Sequence, residues 1–451
     1  AGPVIEDFAW IFTNFRYGSW SRRGPFNNWT DPFELPHRPY GFRERIFSDI
    51  FKLSTRVIPE LLAGLEFNYS RVNQPVYEED LVVNRPLEST RRLGGESFLL
   101  MKAGADYTLD ADSSLAVTAG VSNHKLPLLL NRDSWSSPQY QDLASGFTWG
   151  SADYNGLEKR SRFNVGASIV RYQDRVLGTL HRLAVGAEYD TSTSSSSTWK
   201  ANPLLMYYSG RSAYIFGQAE SPGTGELVGK GLIGFWVSPA AEGAMVSRRE
   251  GKHVGLFAGD TLSIADRVSV SLGLRFDRSE TGIRALSKGV TGSELASTLG
   301  ESLVKPVLGF NLYSAASFRD WSRVVVWNSL SPRFGLTIDL FGGGWTVLKA
   351  YYARMPENMT LGYAHSLTPF SPDRAHLFYW YDDNGDARPG DSDTFQLFQD
   401  DYRIYKSEYY TQAVDPGLKP PRMTEISVGI DEQIFRDLSV SGRYVSRRWD
   451  N

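Results

Sequence analysis

Apolar and polar residues alternate along much of the chain. From Arg267 the sequence reads RVSVSLGLRFD, so that Val268, Val270, Leu272, Leu274 and Phe276 fall on one side and Ser269, Ser271, Gly273 and Arg275 on the other. A period of two is the signature of an extended strand whose two faces meet different surroundings. The pattern returns at Leu115, Val117, Ala119 and Val121; at Phe163, Val165, Ala167 and Ile169; and at Leu183, Val185, Ala187 and Tyr189. It recurs at Phe334, Leu336, Ile338 and Leu340, at Ile426, Val428 and Ile430, and at Leu438 and Val440. Ser, Thr, Asn, Gly, Glu, Asp and Arg occupy the intervening positions. The pattern predicts thirteen antiparallel strands, neighbours in chain order, at 8–19, 42–56, 61–71, 95–108, 114–123, 161–172, 181–190, 252–263, 267–278, 323–340, 345–354, 422–433 and 438–447.

Such strands suit a sandwich face or a membrane barrel equally well, and the connections separate the two. Val57–Glu60, Leu109–Ser113, Gln173–Leu180, Ile264–Asp266, Phe341–Gly344 and Ile434–Asp437 are short. The other connections, at about 20–40, 72–93, 125–160, 191–250, 281–322 and 357–419, are long and polar. Short and long alternate strictly, which puts every long loop on one side of the sheet. Loops beyond ~15 residues are uncommon in compact domains, whereas short periplasmic turns opposite long extracellular loops characterise outer-membrane barrels. The expected fold is therefore all-β, an antiparallel up-and-down transmembrane β-barrel with long extracellular loops. Single-chain bacterial barrels have even strand numbers, so thirteen strands are expected to be part of a larger wall, cut off just past the strand that ends at Arg447.

Composition is compatible with this and excludes several classes. Aromatics make up 13% of the 451 residues, with 23 Tyr and 12 Trp, which suits the aromatic girdles of a membrane barrel, although composition alone favours a large soluble β-protein with a rich aromatic core. Lys and Arg (48) nearly balance Asp and Glu (51), leaving a net charge of −3 and no basic footprint for nucleic acid. With no cysteine, disulfides, thiol catalysis and cysteine-ligated metals are excluded. No apolar run reaches the ~18 residues of a membrane helix, which a barrel does not need.

Four stretches carry a family resemblance: AGPVIEDFAWIFTNFRY at the start, GLFAGDTLSIADRVSVSLGLRFD (255–277), LSPRFGLTIDLFGGGWTVLKAYYAR (330–354) and DPGLKPPRMTEISVGIDEQIFRDLSVSGRYVSRR (415–448). In order and spacing they resemble TonB-dependent outer-membrane receptors of the Oar type, related to carboxypeptidase-regulatory-like-domain receptors. The opening resembles the junction where the plug ends at a Gly-Pro before the first strand. The resemblance implies a plug inside a 22-stranded barrel. Residues 1–451 would be the N-terminal part of the barrel domain, without the plug, the TonB-contacting segment or about nine closing strands. It implies a bacterial outer-membrane location, contact with membrane lipid, a TonB complex engaged through the plug region, and a bulky extracellular ligand such as a siderophore, glycan, peptide or protein. A passive porin, or a surface adhesin or secretion-assembly subunit with a barrel anchor, are the alternatives.

Nothing points to an enzyme: no GxSxG, P-loop or GxGxxG stands in a strand–helix context, and Gly342–Gly344 reads as a hairpin turn. The six histidines (37, 124, 181, 253, 365, 376) are scattered without metal-site spacing and read as loop and interface residues. Thr191–Thr198 (TSTSSSST) reads as the start of a flexible loop. No cofactor is required, but Asp382–Asp393 has the oxygen spacing of an EF-hand-like calcium loop. Asp382, Asn384, Asp386 and Asp393 stand at positions 1, 3, 5 and 12, with the Arg388 carbonyl at 7. Ala387 replaces the usual Gly at position 6, and the shorter Asp replaces Glu at 12. Aromatic clusters in the long loops, Tyr207, Tyr208 and Tyr214, then Tyr379, Trp380 and Tyr381, then Tyr402, Tyr405, Tyr409 and Tyr410, are candidate ligand contacts or loop-packing residues. The residues expected to touch ligand are those of the last two clusters.

Overall fold

The computed structural model describes residues 2–5, 8–23, 41–74, 91–130, 137–151, 155–176, 179–200, 202, 204–236, 246–265, 267–284, 286–288, 316–318, 320–357, 359–365, 375–390, 392–398, 414–415 and 417–450. A fourteen-stranded sheet forms a curved wall, every strand pairing with its neighbour in sequence. The first strand, Gly2–Ile5, is only 4 residues long. The other thirteen run from 11 residues (Thr346–Pro356) to 22 (Asn155–Val176) and are the thirteen expected from the alternation. All pairings in the wall are antiparallel. Among the described residues the sheet does not close on itself.

Register fixes which side chains share a face, because directly opposite residues point the same way. Leu272 stands opposite Phe334, Leu274 opposite Pro332 and Phe276 opposite Leu330. Val121 stands opposite Phe163 and Met101, and Tyr189 opposite Val165 and Val254. These residues form one face, and they are exposed: Leu272 50%, Val185 53%, Leu256 50%, Val428 44%. A continuous apolar belt of this size in water would be an aggregation surface; on a barrel it is the lipid face. Phe15 meets Phe47 edge-on at 5.2 Å on this face, and Phe47 packs against Tyr69. A polar pair interrupts the belt near the turn side, where His181 Nδ1 lies 2.7 Å from Asp260 Oδ2.

Turns at the short-connection end are closed by side chains. Asp339 accepts backbone N–H bonds from Phe341, Gly342 and Gly344. Gly342 and Gly344 supply the left-handed conformations (φ 78° and 72°) that a Cβ would oppose.

Two expectations change at the other end. Thr191–Thr198 is not a loop start: it lies inside the strand Thr179–Trp199, paired on one side with 156–163 and on the other, through Ser197, with 246–252. Ser and Thr read as linker by composition, but a strand above the lipid belt has no apolar face to advertise, and pairing on both sides satisfies its backbone. Second, three long connections fold together. Gln139–Asp142, Thr148–Gly150, Leu204–Tyr208, Gln218–Glu220, Leu227–Trp236, Ala375–Asp382 and Thr394–Leu397 build a seven-stranded sheet of their own. Leu204–Tyr208 pairs parallel to Gln139–Asp142, so the all-antiparallel expectation holds for the wall and not for this sheet.

Candidate functional site

Two surfaces carry polar chemistry: the inner face of the wall and the loop sheet. On the inner face, residues alternate with the lipid belt, and charged groups on adjacent strands pair across it. Lys52 Nζ lies 3.2 Å from Glu66, His124 Nε2 2.7 Å from Glu96 and Arg447 Nε 2.6 Å from Glu425; Arg162 pairs with Asp190. The densest group is Glu188, His253, Arg275 and Asp277, drawn from three consecutive strands of the wall. Arg275 donates to Glu188 and, from Nε at 2.8 Å, to Asp277, while His253 Nε2 is 2.9 Å from the same Asp277 oxygen. The ligating atoms of Glu188, His253 and Asp277 lie within 4.8 Å of one another, a metal-sized cluster. The Arg275 guanidinium already bridges both carboxylates and supplies the positive charge a metal would bring.

Above this group the connection after Thr346–Pro356 turns back against the inner wall. Ala364, on the one-turn helix Gly362–His365, is buried among Ile283, Val324 and Val325, and Tyr363 meets Trp327 edge-on at 5.0 Å. Leu361 with Phe98, His124, Arg160, Arg162 and Ser192 lines an open recess of about 510 Å³. Sequence reasoning read the histidines as loop and interface residues. His124, His181 and His253 instead sit on wall strands, each against a carboxylate 28, 79 or 24 residues away. No local motif announces such partners, since only strand register brings them together.

The loop sheet has a true core of Leu204, Met206, Ala213, Ile233, Phe378 and Trp380. Trp380 and Phe378 are fully buried, and Tyr381 is 4% exposed. Trp380 stacks on Tyr214 at 5.9 Å, and Tyr140, Trp149 and Tyr208 form a second aromatic group. Trp380 and Tyr381 therefore hold loops to one another. Tyr379 is half-buried, with Lys230 Nζ 3.7 Å from its ring centroid. Tyr402, Tyr405, Tyr409 and Tyr410 lie outside the described residues.

The 382–393 turn hangs from this core. Asp382, 2% exposed, accepts N–H bonds from Gly385 (2.9 Å), Asp386 (3.2 Å) and Ala387 (2.9 Å), and the Tyr214 hydroxyl donates to it. Burial, and then this bond to Asp382, push the Tyr214 phenol up to about 12. Asp393 accepts from Trp380 Nε1 (2.8 Å) and from the Gly390 (2.7 Å) and Asp383 (3.1 Å) amides. Burial raises the Asp393 carboxyl, and the charge of Asp382 adds to the rise against those three donors. Asn384 and Asp386 accept from the amides two residues ahead, an Asx pattern. Ala387 adopts φ 61°, the left-handed conformation a calcium loop gives to the glycine at this position.

Residues 96–451 match the family described as outer membrane beta barrel domain, and the chain belongs to that family. No curated protein matches the sequence. Among solved structures, the outer membrane transporter YddB from Escherichia coli is similar over 99% of this chain and 45% of its own, with a TM-score of 0.59 at 14% identity. The ferric-catecholate import receptor Fiu from E. coli, in its closed form, aligns over 99% of this chain and 61% of its own, with a TM-score of 0.49 at 10% identity. The chain thus spans less than half the length of YddB and shares its fold. It is a wall of an outer-membrane β-barrel, located in the bacterial outer membrane.

Proposed function

We propose that this wall belongs to a TonB-dependent transporter that captures a bulky extracellular ligand and passes it through a plugged lumen. The observation that carries the reading is the inner face: its charges are cross-paired into a lattice that suits a protein plug better than an open water channel. The opening AGPVIEDFAWIFTNFRY supports it through its resemblance to a plug–barrel junction. Plug and closing strands belong, on this reading, to the rest of the polypeptide. A porin or an adhesin with the same wall needs no energy coupling. The test is binding of the full-length protein to the purified periplasmic domain of TonB. A complex is expected, abolished by removing the segment upstream of the plug; no complex with a folded receptor would favour the passive or adhesive readings.

Ligand contact by the loop aromatics falls, among the described residues, to the half-buried Tyr379. Calcium at Asp382, Asn384, Asp386, Arg388 and Asp393 is the second part of the proposal. It is supported by the left-handed Ala387 and by the buried Asp382 and half-buried Asp393 carboxylates, whose mutual repulsion a divalent cation would relieve. Calorimetric titration should give calcium binding that is lost when Asp382 and Asp386 are changed to Asn; equal binding by both proteins would reduce the motif to a polar turn.

A further inference from the structure

The outer face of the wall carries a row of cations that the transport reading does not use. Register places Arg71 opposite Ser97, Ser97 opposite Lys125, Lys125 opposite Lys159, Lys159 opposite Ser195, and Ser195 opposite Arg248. These residues lie on six consecutive strands at one level. The same register puts them on the face of Met101, Val121, Phe163 and Val254, the lipid face. Arg71, Lys125, Lys159 and Arg248 are all exposed, and none has an ion pair with a described residue. Lys125 and Lys159 stand directly opposite each other, an arrangement that destabilises a sheet unless an anion sits between them.

The level is informative. Lys125 lies four residues beyond Val121, and Lys159 four beyond Phe163, toward the long loops. At ~3.3 Å per residue along tilted strands, the row stands roughly 10 Å above that part of the apolar belt. Five strand spacings make it about 24 Å wide. Between belt and row lie Asn123 and Ser161, hydrogen bonded to each other at 2.7 Å. A membrane amphiphile lying against the belt would therefore meet first its own acyl level, then two neutral polar side chains, then fixed positive charge.

Farther round the wall the pattern is different. Arg278 and Arg323 face Glu280, and Arg284 pairs with Glu250 and Asp320. Those arginines are neutralised by carboxylates, whereas the four cations from Arg71 to Arg248 form no ion pair with a described residue.

We propose that this row is a docking site for the phosphate groups of an anionic outer-leaflet lipid, with the acyl chains lying on the belt below Lys125 and Lys159. Charge complementarity and continuity with the lipid face select a lipid headgroup over a free anion. The site would fix the rotational and vertical setting of the barrel in its leaflet, and it is separate from ligand capture in the lumen.

The test uses the full-length protein purified in detergent and native mass spectrometry, with bisphosphorylated hexa-acyl lipid A and its dephosphorylated form as probes. The phosphorylated lipid should be retained at least about tenfold better by the wild type. The double variant Lys125→Gln/Lys159→Gln should retain both forms equally, while Arg278→Gln, whose partner Glu280 keeps Arg323, should behave as wild type. Heat-modifiable gel mobility checks that each variant is folded. Raising salt should weaken wild-type retention of the phosphorylated lipid alone, a readout that needs no variant. Equal retention of the two lipids by the wild type, unchanged retention by the double variant, or displacement of the lipid by inorganic phosphate beyond that by sodium chloride at the same ionic strength would each overturn the proposal.

Discussion

Adjacent residues on one strand meet opposite solvents. Leu272 is half exposed on the belt, and Ser271 points to the lumen beside Thr261. Leu272→Arg should cost ~2–4 kcal/mol if it lies near the membrane midplane, and Ser271→Arg much less, measured by denaturant unfolding from lipid vesicles. Equal costs would mean both faces see the same medium. In the loop sheet, Tyr214 must keep its proton to donate to Asp382. Its folded value of about 12 lies above the ordinary ~10, so the bond stabilises fully below ~10 and is lost as pH rises through about 12. The difference spectrum between wild type and Tyr214→Phe should show a phenolate appearing near pH 12. A transition near pH 10 would show that the hydroxyl is free.

Among elements, wall and loop sheet are stabilised differently, and this decides what the sequence reveals. Gly231 lies under Trp380: a Cβ there would come within 2.5 Å of the indole and 2.7 Å of the Ala213 carbonyl oxygen. Gly231→Ala should loosen the loop sheet by about 1–3 kcal/mol while leaving the wall intact. Hydrogen exchange should then accelerate at 204–208 and 375–382 and stay unchanged at 268–283; uniform acceleration would mean that the two sheets unfold as one. The wall strands are legible because each has a wet and a greasy face, which writes a period of two into the sequence. LLMYY (204–208), LIGFW (232–236) and HLFYWY (376–381) have apolar residues at consecutive positions. A short strand buried on both faces reads like any aromatic loop. Their partners lie in other connections, so no local signal marks the pairing. The acidic turn was legible by spacing, but its anchors Tyr214 and Trp380 were not, because the Tyr214 hydroxyl reaches Asp382 across 168 residues. The left-handed Ala387 appears only with the backbone in view.

At the scale of the whole molecule, the sorting of connections sets the orientation. Every short turn lies at one rim, and the loop sheet is built from the long connections at the other. Polar lattice inside, apolar belt outside and a folded cap on one rim make sense together only if the wall crosses the outer membrane with the cap facing the exterior. Because the sequence has no cysteine, single cysteines report position cleanly. The most direct test is labelling of Asp386→Cys, in the exposed part of the loop turn, and Phe341→Cys, in a hairpin turn, with a membrane-impermeant maleimide. On intact cells Asp386→Cys should react and Phe341→Cys should not, both reacting after the outer membrane is permeabilised. Reaction of Phe341→Cys on intact cells with Asp386→Cys protected, or equal reaction of both, would contradict the orientation and the membrane-spanning wall with it.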